Sequence, residues 1–288
     1  MMFSVVIPTY NRMDTLRLTL AAVTNQQYPD YEVIVVDDGS SDSTSNTVRR
    51  EFPFVRMLCQ AHAGPAAARN RGLQEARGDV MAFTDDDCLV LPEWLSRLAD
   101  GLHRHPEAVG VGGPLLAPGP LRQTNILARY EAHVVRVIYG ARDREIVAGF
   151  DCPAGGTNNM AYRRPALQAI GGFDEGFPYA GGEDADLKWR LAQTGARFLY
   201  LPVVTTHLQP YTWPAFRRQQ FTRGKGRAYF DRKWGRPPTY PIVALRFIRR
   251  LAQLPLRFAS PPTLLWPAFE EVWHTTLGQW AAIKELDR

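Results

Sequence analysis

The chain has 288 residues, 45% of them hydrophobic and 11% aromatic, enough for one large domain or a domain with an appendage and enough to exclude disorder as the main state. Its three cysteines, Cys59, Cys88 and Cys152, give neither a disulfide framework nor the spacing of a structural zinc site. The net charge of +5 is uneven: residues 1–210 hold 20 Lys+Arg against 24 Asp+Glu and residues 211–288 hold 14 against 5, so a basic tail on a weakly acidic body predicts an anionic counterpart such as a membrane surface, a phosphorylated substrate or nucleic acid.

The start, MMFSVVIPTY, enters an apolar run with no basic segment before it, so no signal peptide is expected and a cytoplasmic setting follows. The longest uncharged stretch, Phe198–Phe216, contains Pro202, Pro210, Pro214 and His207. Those residues exclude it as a bilayer-spanning helix.

Phe3–Thr9 and Tyr31–Asp37 are short β-branched runs of the kind buried on both faces of a sheet. Between them Asp14–Gln26 carries Leu16, Leu20 and Val23 at helical spacing, which makes a βαβ unit with parallel strands. A helix is expected from Ser40 or Ser41 to about Phe52, then a strand over Phe54–Leu58. A helix over Pro65–Ala76, with proline in its first turn, leads to a strand over Val80–Thr84. Further on, Pro92–His103 reads as a helix, Gly110–Pro120 as a strand leaving into a loop, and residues 121–150 as helical. Thr157–Tyr162 reads as a strand, Pro165–Ile170 and Asp184–Thr194 as helices, and Arg197–Leu201 as a strand. The alternation predicts an α/β layered domain over residues 1–210 that binds ligand at the carboxyl ends of its strands. Residues 211–288 are expected to form a basic, mostly helical extension.

Three acidic stretches bear chemistry. Asp85-Asp86-Asp87 directly follows a hydrophobic strand; three adjacent carboxylates repel one another unless a cation neutralises them. Asp85 and Asp87 project to one side of an extended backbone and can hold Mg2+ or Mn2+; an acidic turn in water is the competing reading. Asp37-Asp38-Gly39-Ser40 also ends a strand. Its carboxylates suit a nucleobase or ribose, and equally an ordinary turn with a serine cap. Gly181-Gly182-Glu183-Asp184-Ala185-Asp186 opens a helix, where acids are favoured by the helix dipole or can serve as a general base.

Taken in order, these stretches resemble the family 2 glycosyltransferases with their nucleotide-sugar-binding GT-A fold, a mixed sheet flanked by helices. The resemblance runs from Phe3 to His207. It rests on Val6-Ile7-Pro8-Thr9-Tyr10-Asn11-Arg12, Val36-Asp37-Asp38-Gly39-Ser40 and Gly64-Pro65 through Arg69-Asn70-Arg71-Gly72. Phe83-Thr84-Asp85-Asp86-Asp87, Gly171-Gly172-Phe173-Asp174-Glu175 and Gly182-Glu183-Asp184-Ala185-Asp186-Leu187 complete it.

The resemblance implies an inverting, metal-dependent enzyme that moves a hexosyl group from a nucleoside-diphosphate sugar to a sugar or lipid-linked acceptor, in cell-surface glycan, glycolipid or polysaccharide synthesis. It implies that Thr9 and Asp38 contact the base, with Pro8, Tyr10, Arg69 and Asp86 on the donor nucleotide. Asp85 would face ribose or metal, Asp87 would ligate Mn2+ or Mg2+ bridging the diphosphate, and His207 would complete the metal site. Asp184 would be the catalytic base, with Glu183 and the Gly155–Asn159 segment, Gly156 and Asn158 included, on the acceptor side. One departure bears on processivity. Gln220-Phe221-Thr222-Arg223-Gly224 keeps the glutamine and arginine of the Q-x-x-R-W pentad of processive synthases and lacks the tryptophan. A non-processive enzyme is therefore expected, with Arg223 near the diphosphate or a lipid phosphate.

Residues 241–257 mix Arg246, Arg249, Arg250 and Arg257 with Ile, Leu and Phe. They read either as a helix lying at an anionic membrane surface or as one packing its apolar stripe on the body with arginines in water. No nucleic-acid-binding module accompanies the charge, and nucleic acid is not expected as a partner. A sugar-nucleotide-binding protein or a nucleotidyltransferase without glycosyl transfer is the alternative function.

Overall fold

A computed structural model describes residues 1–138, 140, 143–178, 181–257 and 261–286. These fall into two compact units interleaved along the chain. One comprises Met1–Pro118, Val135–Glu175 and Asp184–Gln209; the other comprises Gly119–Val134, Gly176–Glu183 and Pro210–Arg288. The second unit thus draws two segments from within residues 1–210.

In chain order the elements begin β1 (Phe3–Thr9), α1 (Met13–Val23), β2 (Tyr31–Asp37), α2 (Thr44–Glu51), β3 (Arg56–Cys59) and α3 (Pro65–Glu75). They continue β4 (Val80–Phe83), β5 (Cys88–Leu89), α4 (Trp94–Arg104), β6 (Ala108–Gly112) and β7 (Leu115–Leu116). Next come α5 (Gly119–Thr124), α6 (Ile126–His133), a π-helical turn over Val134–Ile138, β8 (Ile146–Ala148), β9 (Met160–Arg163) and α7 (Arg164–Ala169). The chain then runs through α8 (Glu183–Gln193), β10 (Arg197–Tyr200), β11 (Thr205–His207), α9 (Trp213–Lys233), α10 (Tyr240–Arg257) and α11 (Leu265–Leu286).

The main sheet of the first unit has the order β3-β2-β1-β4-β9-β6-β10-β8. Strands β3, β2, β1 and β4 are parallel neighbours, and β9 runs antiparallel to both β4 and β6. The expectation of a mixed α/β sheet flanked by helices holds. Its central strands are apolar on both faces because helices cover both. Phe3, Val5 and Ile7 of β1 point to one core with α1 and α4, while Val6 points to the other core with α3 and α8. Strand β4 alternates the same way, Val80 and Ala82 against Met81 and Phe83. Each fully buried side chain of this kind stabilises the fold by about 1.5–3 kcal/mol. The close seat of α3 on β1 needs Gly72, because a Cβ there would lie 2.4 Å from Val6 Cγ1.

Three expectations shift. Residues 121–150 are helical only through Ile138 and turn into strand β8, which pairs with β10; residues 139, 141 and 142 of that segment lie outside the described residues. Phe54 stands 96% exposed in the turn before β3, so that strand starts at Arg56. Ser40 and Ser41 do not cap α2, which begins at Thr44: Ser40 Oγ accepts the Asn11 N–H, and the Ser41 N–H donates to Asn11 Oδ1. A feature with no sequence signal is a second, small sheet, β5-β11-β7. Its strands are two or three residues long, too short for any periodicity to register.

In the second unit α9 and α11 pack with their backbones close. A Cβ on Gly224 would lie 2.0 Å from the Thr275 carbonyl oxygen, and one on Gly278 would lie 2.0 Å from that of Phe221. Around this seam Arg217 forks both oxygens of Glu270 at 2.8 Å, and Asp231 receives Arg227 and Arg246.

Candidate active site

The chain leaves β4 at its carboxyl end and turns through Asp85, Asp86 and Asp87 into β5. Strand β5 pairs antiparallel with β11, and that ladder sets His207 opposite Cys88. His207 Nε2 consequently lies 3.4 Å from Asp87 Oδ2. The small sheet is the device that brings a histidine 120 residues downstream to the acidic turn.

The three aspartates have separate environments. Asp85, the most exposed of them, accepts a 2.9 Å bond from Arg69 on α3, whose guanidinium carbon also lies 5.7 Å from the Phe173 ring centroid. Asp86 is buried; its Oδ2 accepts from Thr9 Oγ1 at 2.8 Å and its Oδ1 from Arg12 at 2.8 Å. Arg12 also donates to Asp87 Oδ2 at 2.8 Å. Burial pushes the Asp86 carboxyl up to about 7, with Arg12 opposing and the Asp87 charge adding. Asp87 is buried as well, which alone would raise it, yet His207 and Arg12 hold it down at about 2. Asp87 therefore keeps its negative charge despite its burial.

One oxygen of Asp85, one of Asp87 and the Cys88 sulfur lie within 4.8 Å of one another. Burial, followed by the charges of Asp85 and Asp87, pushes the Cys88 thiol far above its ordinary range, and a protonated thiol is a poor ligand. His207 Nδ1 is buried with no hydrogen-bond partner among the described residues, while Nε2 faces Asp87. Two carboxylates and an imidazole form a donor set that fits a hard or borderline divalent cation. Asp85, Asp87 and His207 are the residues that could hold it.

The other strand-end acids are occupied. Asp37 accepts from the Ser40 N–H at 2.8 Å and from Ser45 Oγ. Asp38 Oδ1 accepts from Gln60 Nε2 at 2.8 Å and the Ala63 N–H at 2.9 Å; its Oδ2 accepts the Gly64 N–H at 2.8 Å and faces His62 Nδ1 at 2.9 Å. These four partners fill the acceptor positions of one carboxylate. Asp38 thus pins the loop over residues 60–64, and that loop in turn stacks His62 on the exposed Tyr10 with ring centroids 4.3 Å apart. Gly39, at φ +84°, turns the chain there.

Asp184 lies in the first turn of α8, half-buried, with Oδ1 accepting the Ala185 N–H at 2.7 Å. The Tyr162 hydroxyl on β9 is fully buried, and its pKa is pushed up by burial and next by the Asp184 charge, with Arg69 acting the other way. Tyr162 therefore shares an electrostatic neighbourhood with Asp184 and with the arginine that holds Asp85. One turn along α8, the buried Lys188 ammonium donates to the carbonyls of Cys152 at 2.5 Å and Ala154 at 2.6 Å. It also lies over the rings of Phe150 and Phe198. It thereby ties down the segment that leads to Gly156 and Asn158, both half-buried. The neighbouring Asn159 braces the sheet, accepting from Trp94 Nε1 and donating to the Pro114 and Val203 carbonyls.

The Gly171–Glu175 motif is held from two sides. The Asn70 side-chain N–H donates to the Phe173 carbonyl and to Glu175, and Arg190 donates to the Ile170 and Gly172 carbonyls. Pro8 sits half-buried near the end of β1. Within the second unit, Glu183 at the start of α8 is buried, and Arg223 on α9 is exposed, one turn from buried Gln220. Sequence reasoning gave no role to Arg12, Tyr162 or Lys188. For Arg12 a signal existed: an acidic triplet needs a counter-charge, and this arginine stands inside the first motif.

A mixed α/β sheet with an acidic turn at the carboxyl end of β4 is an arrangement suited to binding a ligand beyond the strand ends. The family described as glycosyl transferase family 2 matches residues 4–171, and the chain belongs to it. A pre-mycofactocin glycosyltransferase of Mycobacterium tuberculosis is 33% identical over 202 residues, 69% of this chain and 41% of that protein. The probable glycosyltransferase YdaM of Bacillus subtilis is 28% identical over 241 residues, 78% of this chain and 55% of that one. The chain thus spans about half the length, or less, of these relatives. Among solved structures, the mannosyltransferase PcManGT of Pyrobaculum calidifontis, in complex with GDP-Man and Mn2+, superposes with a TM-score of 0.67. That likeness covers 96% of this chain and 86% of the other at 21% identity, a likeness of fold.

Proposed function

We propose that this enzyme transfers a hexosyl group from a nucleoside-diphosphate sugar to a hydroxyl of a sugar or lipid-linked acceptor, in one displacement that inverts the anomeric centre. The observation that carries this reading is the acidic turn at the end of β4. There Asp85 and Asp87 approach one another, and the β5–β11 strand pair brings His207 to Asp87. Bound Mn2+ or Mg2+ would supply the positive charge that stabilises the departing diphosphate. The GDP-Man and Mn2+ held by the Pyrobaculum mannosyltransferase support this donor class.

The chain's own residues divide the rest of the work. Asp184 accepts the proton of the incoming hydroxyl. Arg69 orients Asp85, and the loop pinned by Asp38 presents Tyr10 and His62 to the donor nucleotide. Lys188 fixes the backbone before Gly156 and Asn158 on the acceptor side. Holding hydroxyl and anomeric carbon in line provides the remaining acceleration. With Gly224 in place of the pentad tryptophan, transfer is non-processive.

The test is a panel of uridine, thymidine and guanosine diphosphate sugars with Mn2+, following nucleoside diphosphate release and the anomeric configuration of the product. One donor should turn over with inversion, and EDTA or Asp87→Asn should abolish turnover. Tight donor binding with no turnover for any donor and acceptor would make the protein a binder, and a retained configuration would exclude the single displacement.

A further inference from the structure

Helix α10 has two apolar stripes, which a helix that only packs on a protein body does not need. The inward one is marked by Val243, fully buried, and by Phe247, whose ring lies 5.8 Å from that of Trp273 on α11. The outward one comprises Ile242, Leu245, Ile248 and Leu256, exposed by 42%, 68%, 62% and 83%, with Pro241, Ala252 and Pro255 between them. At 3.6 residues per turn these outward positions, with Arg249, fall within an arc of roughly 140°. Arg246 and Arg250 lie along one edge of that arc and are anchored to Asp231 and Glu271, while Arg249 and Arg257 are exposed. The helix contains no Asp or Glu. On α11, Trp266 stacks on Phe269 and is also exposed.

We propose that this outward face of α10 docks on the surface of an anionic lipid bilayer. The helix would lie flat, with Leu245, Ile248 and Leu256 in the acyl boundary and Arg249 and Arg257 among headgroups. Charge selects this occupant over a second copy of the chain. Residues 211–288 carry 14 basic against 5 acidic side chains, and a symmetric pairing through a face without a single acid would set arginine against arginine. No described helix is long and apolar enough to cross a membrane, and the docking proposed for α10 is along the surface. The inference stands apart from the transfer reaction, since none of these residues belongs to the acidic turn or to α8.

The experiment is vesicle co-sedimentation of the full chain with phosphatidylcholine alone and with phosphatidylcholine containing one-third phosphatidylglycerol. Size measurement by light scattering and a thermal melt of each variant accompany it. Binding is expected only to the anionic vesicles. It should weaken about fivefold for each of Arg249→Gln and Arg257→Gln and be lost in Leu245→Glu/Ile248→Glu with an unchanged melt. Sugar transfer to a water-soluble acceptor should persist in that double variant, so that loss of docking and loss of chemistry are read separately. Absence of binding to anionic vesicles at low salt, equal binding by the double variant, or a wild-type dimer dissolved by those substitutions would overturn the proposal.

Discussion

The guanidinium of Arg12 reaches two neighbouring carboxylates at once, 2.8 Å from Asp86 Oδ1 and 2.8 Å from Asp87 Oδ2. It therefore supplies the counter-charge that a buried acidic turn requires, at the carboxylate through which a divalent ion would be held. A cation bound at Asp87 would compete with the guanidinium. In EDTA, Arg12→Gln should lower stability by about 1.5 kcal/mol, since Arg12 is half-exposed and its bonds are partly screened. Mn2+ should then raise the melting temperature of the variant more than that of the wild type. Equal increments by differential scanning fluorimetry would show that the arginine and the ion do not share the site.

Asp86 gives a pH signature. Its folded pKa of about 7 lies above the ordinary carboxylate value, so between about pH 4 and 7 the folded protein binds a proton that the unfolded chain has released. Stability attributable to this group falls as pH rises through that window and is level above it. Asp86→Asn, which can still accept from Arg12 and donate to Thr9, removes the titration. Its melting temperature relative to wild type should climb from pH 4.5 to 7.5 in EDTA. A constant difference would mean that Arg12 keeps Asp86 ionised throughout.

Asp38 should behave as a brace for the loop that carries His62. In Asp38→Asn the amide nitrogen must face a donor, whichever way the group is turned, because Gln60, Ala63 and Gly64 all donate to it. Leaving one buried donor unmet costs about 1–3 kcal/mol. The prediction is a lowered melting temperature together with weakened donor binding. A variant as stable as wild type, with donor affinity alone reduced, would assign Asp38 to direct contact with the base.

For Asp184 the expected separation is opposite. Asp184→Asn should cut kcat by about 10²–10⁴-fold, the usual worth of a positioned general base, with the donor Kd by calorimetry unchanged. Parallel loss of both would make it a binding residue.

The sheet was legible because β1, β2 and β4 are apolar on every residue or nearly so, a pattern that two-sided burial imposes. The acidic turn was legible because charge after such a strand is costly without a purpose. Other parts were hidden by scale and distance. Strand β5 is two residues long, so nothing in the sequence shows that Cys88 will pair with His207. The occupation of Asp38 by Gln60, His62, Ala63 and Gly64 comes from the path of a loop, which no spacing rule predicts. Lys188 read as an ordinary polar position on α8, and its burial follows from two carbonyls more than thirty residues earlier.

The seam between α9 and α11 bears on the incomplete pentad at Gln220–Gly224. Position 224 faces the Thr275 carbonyl across a gap that excludes even a methyl group, so an indole could enter only if the last helix of the chain moved away. The missing aromatic is thus a consequence of the architecture behind it. Restoring the ring by a single substitution would unseat a helix before it created a chain-extending enzyme.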